Sequence, residues 1–135
     1  MSDFKDVMSE YWKQVAKKKE NKDIKAKRFE EIYGGYGTKI ECSEILEAFK
    51  SGGIIADVRN PVDYINGALH NSINVPHQHA IKWFLTNDQI SKSTPILLYC
   101  DNGSLAESVM HDLQTSLHYT NVINIGSQKW YPSCS

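Results

Sequence analysis

The stretch Pro95-Ile96-Leu97-Leu98-Tyr99-Cys100, followed by Asp101-Asn102-Gly103-Ser104, decides the fold. A short apolar run without alternation predicts a parallel strand that is buried on both faces. The polar residues after it predict a tight turn, and the stretch from Leu105 to Leu117 has the spacing of a helix. A strand, a turn and a helix in this order are typical of an α/β fold.

Similar patterns alternate along the chain from residue 38 onward. The other strand candidates are 38–41, 54–58, 72–75 and 121–125. The other helix candidates are 43–50, with Ser43 as its N-cap, 61–64 and 80–85. Strands that alternate with helices predict a central, mostly parallel sheet flanked by helices.

The N-terminal residues have a different pattern, and we interpret 1–36 as a helical extension that precedes a domain at 37–135. Apolar residues recur there at spacings of three and four, at Phe4, Val7, Met8, Tyr11, Trp12 and Val15. This stripe can pack on the domain or on a second copy, so we expect self-association or partner docking. The lysines at 17–19 form a solvated face or contact an acidic partner or membrane surface.

The bulk composition is that of a single globular domain. The chain has 135 residues, 41% of them hydrophobic, with a formal net charge of -1. This balance gives no overall attraction to nucleic acid or to anionic membranes. The charge is uneven, because residues 1–30 carry nine Lys/Arg and six Asp/Glu, a net charge of +3 that leaves -4 for 31–135. No secretory signal and no apolar run long enough for an integral membrane segment are visible, so a reducing cytoplasm is the expected compartment.

The three cysteines, Cys42, Cys100 and Cys134, do not have the number or spacing of a disulfide framework. We expect Cys42 to be structural and Cys134 to lie in a frayed tail. No CxxC pair indicates zinc. His77 and His79 could meet a metal from one strand face, but a solvated loop is favoured. We therefore expect no metal and no cofactor.

Cys100 is placed for chemistry. At a strand end that precedes a helix, backbone N–H groups and the positive end of the helix dipole favour a thiolate, which is the nucleophilic form. Gly103 tolerates left-handed dihedrals and lets the backbone close around an anion. The alternative is a small buried cysteine without a chemical role.

Three blocks of sequence resemble the rhodanese-like family in order and spacing, over residues 38–131. The first block is Asp57-Val58-Arg59, Asp63-Tyr64, Gly67 and Ile73-Asn74-Val75-Pro76; the second is Leu97-Leu98-Tyr99-Cys100 with Gly103; the third is Asn121-Val122, Gly126 and Trp130. The type that this chain resembles most is the small single-domain thiosulfate sulfurtransferase, of which phage shock protein E is an example.

This resemblance implies a sulfurtransferase without a cofactor. Cys100 would be the nucleophile that takes the outer sulfur of thiosulfate or of a persulfide donor and passes it to cyanide, a thiol or an acceptor protein. The resemblance places the anion cradle in the N–H groups of Asp101, Asn102, Gly103, Ser104 and Leu105. Arg59 could orient an anionic substrate, although a structural pairing with Asp63 is favoured, and Asp57 is expected to organise the turn.

The loop departs from the family pattern in its charge. Many members carry an arginine four or five residues after the cysteine, where this chain has Ser104 and Leu105. Asp101 adds a negative charge that opposes a thiolate and an anionic donor. We therefore expect weak turnover with thiosulfate, or another donor such as a protein persulfide.

Two other functions remain open. A phosphatase or arsenate reductase of related fold needs an arginine five or six residues after the cysteine, where Leu105 and Ala106 stand, and is disfavoured. A non-catalytic rhodanese-like interaction or sulfur-carrier module is allowed by the missing loop cation, although the retention of Cys100 favours chemistry.

Overall fold

The computed structural model describes residues 36–134, and the predicted helical extension at 1–36 lies outside the described residues except for Tyr36. The helices are α1 (Cys42–Lys50), α2 (Pro61–Ile65), α3 (Ala80–Thr86) and α4 (Ser104–Thr115). The strands are β1 (Ile54–Asp57), β2 (Ile73–Asn74), β3 (Ile96–Cys100) and β4 (Val122–Ser127). Short 3₁₀ segments occupy His77–His79, Gln128–Trp130 and Pro132–Cys134.

The strands form one parallel sheet in the order β2-β1-β3-β4, which confirms the predicted α/β fold. The five residues of β3 are all buried, as a central parallel strand requires. Side chains alternate between two core clusters. Ile96, Leu98 and Cys100 face α3 and α4, whereas Leu97 and Tyr99 face α1 and the C-terminal residues.

Two local predictions are wrong. Residues 38–41 do not form a strand, because isolated hydrogen bonds hold this segment: the Thr38 N–H donates to the Asn124 carbonyl at 2.9 Å. The N-cap of α1 is Glu41 rather than Ser43. A capping box explains this, since the Glu41 backbone N–H donates to the Glu44 carboxylate at 2.7 Å.

The carboxyl ends of the parallel strands meet at one edge of the sheet. Asp57 pairs in register with both Asn74 and Tyr99, so β1, β2 and β3 end level with one another. A bulge between Leu98 and Tyr99 shifts the register with β4, so that Tyr99 pairs with Gly126. This edge is where an open parallel sheet places its sites, and it carries Cys100.

Within residues 36–134, no helix combines the length and the apolar character needed to cross a membrane.

Candidate active site

Cys100 is the last residue of β3 and is only 1% exposed. Its side chain lies in the core cluster between the sheet and α4. The backbone N–H of Gly103 donates to the Cys100 Sγ at 3.1 Å. The sulfur therefore accepts a hydrogen bond from the backbone of the residue that caps α4.

Gly103 is the N-cap of α4 and has a φ of 83°, in the left-handed region. A Cβ at this position would overlap the carbonyl oxygen of Tyr36 and would lie 3.2 Å from the Gly126 Cα. Only glycine combines this dihedral with such close contact, so the loop needs Gly103 for two separate reasons.

Asn102 folds its side chain into the loop. Its Oδ1 accepts the Ser104 N–H at 3.0 Å and the Ser104 hydroxyl at 2.7 Å, and it lies 3.9 Å from the Cys100 thiol. Of the five residues proposed for the cradle, Gly103 places its N–H on the sulfur, whereas the Ser104 N–H is occupied by Asn102. Leu105 lies in the first turn of α4 and is 36% exposed.

Arg59 is buried and forms an ion pair with the fully buried Asp57, not with Asp63 as expected from the sequence. Its Nε lies 3.0 Å from one Asp57 oxygen and its Nη2 lies 2.7 Å from the other. Nη2 also donates to the Gly67 carbonyl at 2.6 Å. The hydrogen bond with Asp57 raises the pKa of Arg59, and burial opposes it. Asp57 lies at the end of β1, and its carboxylate accepts hydrogen bonds from both the backbone N–H and the side chain of Arg59.

The Arg59 guanidinium also reaches the Cys100 loop. Its Nη1 lies 3.7 Å from the Asp101 carboxylate, whose side chain is 65% exposed. The guanidinium stacks over the Tyr99 ring at 5.8 Å. The residues singled out after β1 and after β3 therefore lie next to each other at one edge of the sheet.

Tyr99 anchors the segment that precedes β2. Its hydroxyl accepts the Leu69 N–H at 2.9 Å and lies 3.1 Å from the Ser72 hydroxyl. Burial raises the pKa of Tyr99 above the ordinary value of a tyrosine.

The sequence analysis missed Asn124 as a residue that supports the loop. Its amide Nδ2 donates to the Gly103 carbonyl and to the Glu107 carboxylate, each at 2.8 Å, and its Oδ1 accepts the Gly126 N–H at 2.9 Å. Asn124 is 3% exposed. A polar residue inside the apolar run 121–125 was the available signal, because a buried amide needs partners.

Tyr36, the last residue of the predicted extension, contacts the same loop. The Tyr36 N–H donates to the Asn102 carbonyl at 2.6 Å. A groove of 440 Å³ lies beside this contact and is lined by Tyr36, Ser104, Glu107, Ser108 and His111. Tyr36, the first residue that the structure describes, therefore lies against the Cys100 loop.

Cys42 and Cys134 form a disulfide, so the expectation drawn from the cysteine spacing is wrong. Their Cα atoms are 5.6 Å apart although the residues are separated by 92 positions. The C-terminal 3₁₀ segment folds back on α1, and the His70 N–H donates to the Cys134 carbonyl at 2.7 Å. Cys134 is therefore held in place, and Cys100 is the free cysteine.

His77 and His79 lie in a 3₁₀ segment between β2 and α3. Among the residues from 36 to 134, no group of three or more His, Cys, Asp or Glu side chains is arranged to hold a metal ion.

The strand β3 of this parallel sheet ends in a buried cysteine, and a backbone N–H of the following turn lies on its sulfur. The structure is therefore that of an α/β domain with a free thiol at the carboxyl edge of its sheet. The family model described as "Rhodanese-like domain" matches residues 41–132. The chain belongs to the rhodanese-like domain family. Comparison with curated proteins gives no match.

Solved structures of several organisms have the same fold. The human single-domain sulfurtransferase TSTD1 has a TM-score of 0.56 at 16% identity, with 74% of this chain and 99% of that chain covered. The Alr3790 protein from Anabaena sp. has a TM-score of 0.59 at 16% identity, with 70% and 85% covered. A rhodanese-related protein from Thermoplasma volcanium has a TM-score of 0.53 at 24% identity, with 71% and 92% covered. At these identities the likeness shows the fold.

Proposed function

We propose that the chain is a sulfurtransferase in which Cys100 carries the transferred sulfur as a persulfide. The observation that carries this proposal is the Gly103 N–H on the Cys100 Sγ, at the start of α4. A backbone donor directed at the sulfur can stabilise negative charge on it during the transfer. Human TSTD1, which shares the fold, is a single-domain sulfurtransferase, and this supports the assignment.

The proposed reaction has two steps. The Cys100 thiolate attacks the outer sulfur of thiosulfate, the S–S bond of the donor breaks, and sulfite leaves with the bond electrons. An acceptor thiolate or cyanide then attacks the outer sulfur of the Cys100 persulfide, and the Cys100 thiolate is regenerated. Splitting the transfer in this way is nucleophilic covalent catalysis. The Gly103 amide stabilises the negative sulfur in each state.

A turnover assay with two donors tests the proposal. Wild-type protein should form thiocyanate from cyanide with thiosulfate or with an alkyl persulfide, and Cys100→Ser should abolish this activity. The Cys42→Ser/Cys134→Ser double variant is the matched control, because it removes the two cysteines outside the site and should remain active. If the wild type turns over neither donor, or if Cys100→Ser keeps full activity, the proposal is wrong.

A non-catalytic interaction module is the second candidate. It is favoured by the charge of the loop, where Ser104 and Leu105 stand at the positions of the family's arginine and Asp101 pairs with Arg59. If the chain is a module of this kind, its Cys100→Ser variant would bind a partner protein as tightly as the wild type does.

The compartment and the association state complete the proposal. We place the protein in the cytoplasm, where thiol-reducing systems would keep Cys42 and Cys134 as a dithiol. Acid-quenched thiol trapping tests this, and a fully oxidised pair in cells would contradict it.

The apolar stripe of residues 4–15 would mediate self-association, and an unchanged oligomeric state after deletion of residues 1–35 would exclude that role.

A further inference from the structure

The ion pair between Arg59 and Asp101 bears on which sulfur donor reaches Cys100. Asp101 follows Cys100 directly, and its carboxylate lies 3.7 Å from Arg59 Nη1. On its other edge the guanidinium is held by Asp57 through Nε and Nη2. The cation next to the loop is therefore bound by a carboxylate on both edges.

These charges leave the site negative. Asp57, Arg59 and Asp101 together carry one net negative charge at the carboxyl edge of the sheet. Asp57 is fully buried and accepts the Arg59 N–H in the turn after β1, whereas the Asp101 side chain is 65% exposed. Asp101 is thus the carboxylate that can be removed without leaving a buried charge unpaired.

Thiosulfate and a persulfide respond differently to such a site. Attack of the Cys100 thiolate on thiosulfate gathers three negative charges, and sulfite leaves with two of them. Attack on a protonated alkyl persulfide gathers one negative charge, which leaves on the thiolate while the Cys100 persulfide keeps the proton. A nearby carboxylate opposes the first reaction far more than the second, on the order of tenfold in total for the two extra charges at roughly 6–8 Å.

We propose that Asp101 is a specificity-determining residue which, by pairing with Arg59, turns Cys100 away from thiosulfate and towards persulfide donors with a thiolate leaving group. This inference rests on the proposed sulfurtransferase function and names its donor class. Removal of the carboxylate would free Arg59 Nη1 for a sulfonate oxygen of thiosulfate.

Rapid-mixing rates of Cys100 sulfuration by thiosulfate and by the persulfide of 2-mercaptoethanol test this inference. Asp101→Asn should raise the rate with thiosulfate relative to the rate with persulfide by roughly tenfold. Asp112→Asn is the matched control, because it removes one negative charge from α4 at about 12 Å along the helix axis from Ser104, the first residue of that helix. This variant should leave the ratio of the two rates unchanged. Added salt should accelerate the thiosulfate reaction of the wild type more than that of Asp101→Asn, because it screens the repulsion.

The outcomes separate the two proposals. If persulfide sulfurates Cys100 and Asp101→Asn leaves the donor ratio and its salt dependence unchanged, the inference is overturned and the sulfurtransferase function stands. If neither donor sulfurates Cys100 in any variant, the proposed function fails and the inference fails with it.

Discussion

The Gly103 N–H lies 3.1 Å from the Cys100 sulfur and binds it across a turn of three residues. The Gly103 carbonyl is fixed in turn by the buried amide of Asn124 at 2.8 Å. The donor that faces the sulfur is therefore oriented before any substrate binds. Such orientation lets a backbone dipole stabilise charge without reorganising during the reaction.

Replacing Gly103 by alanine should cost more than its backbone conformation alone. Gly103 and Gly52 have nearly the same φ, 83° and 84°, but a Cβ at Gly52 would meet no atom within 4 Å. We expect Gly52→Ala to lower the free energy of unfolding by about 1 kcal/mol and Gly103→Ala to lower it by at least ~3 kcal/mol. Urea unfolding of both variants measures the difference, and equal losses would contradict the close packing around the loop.

Much of this arrangement was predictable from local sequence. The strands β1, β3 and β4 were predicted to within two residues at each end. A parallel strand that is buried on both faces appears in the sequence as a continuous apolar run, which is easy to delimit. Cys100 at a strand end and Gly103 in the turn were likewise readable, because strand, turn and helix are adjacent in the chain.

The rest depends on contacts between distant parts of the chain. The Cys42–Cys134 disulfide spans 92 positions, and no spacing rule connects them. Asn124 reaches Gly103 across 21 positions, through the pairing of β4 with β3. The pairing of Arg59 with Asp57 spans only two positions, but it depends on the turn after β1, which brings the Arg59 N–H and side chain back to the Asp57 carboxylate.

Arg59 should matter for stability because its loss leaves the Asp57 carboxylate buried without a counter-ion. Asp57 is 0% exposed and Arg59 is 6% exposed. We expect Arg59→Met to lower the free energy of unfolding by about 3–5 kcal/mol, and Asp57→Asn/Arg59→Met to recover part of that loss. Additive losses in the double-mutant cycle would show that the pair is not coupled.

The disulfide should stabilise the fold by limiting the unfolded chain. We expect Cys42→Ser/Cys134→Ser to lower the free energy of unfolding by about 2–4 kcal/mol. Reductant should bring the wild type to the stability of this variant and leave the variant unchanged. A wild type whose unfolding is insensitive to reductant would contradict this expectation.

Stability should decrease at alkaline pH through Tyr99. Burial raises the pKa of Tyr99 in the folded chain, so the folded state holds this proton more tightly than the unfolded state does. Its contribution is complete below pH ~10, the ordinary tyrosine value, and is lost as the pH rises towards the folded value. The free energy of unfolding, measured from pH ~8 to ~11, should therefore fall less steeply with pH in Tyr99→Phe than in the wild type. Parallel pH profiles would contradict this.

The most direct test of the account is the mass of the Cys100 peptide after exposure to a sulfane-sulfur donor. The protein is treated with an alkyl persulfide or with thiosulfate, the remaining thiols are alkylated, and the peptides are mapped. The account predicts a gain of one sulfur atom on Cys100, its loss on addition of an acceptor thiol, and no gain on the Cys42–Cys134 peptides. A Cys100 peptide that gains no sulfur from any donor would contradict it.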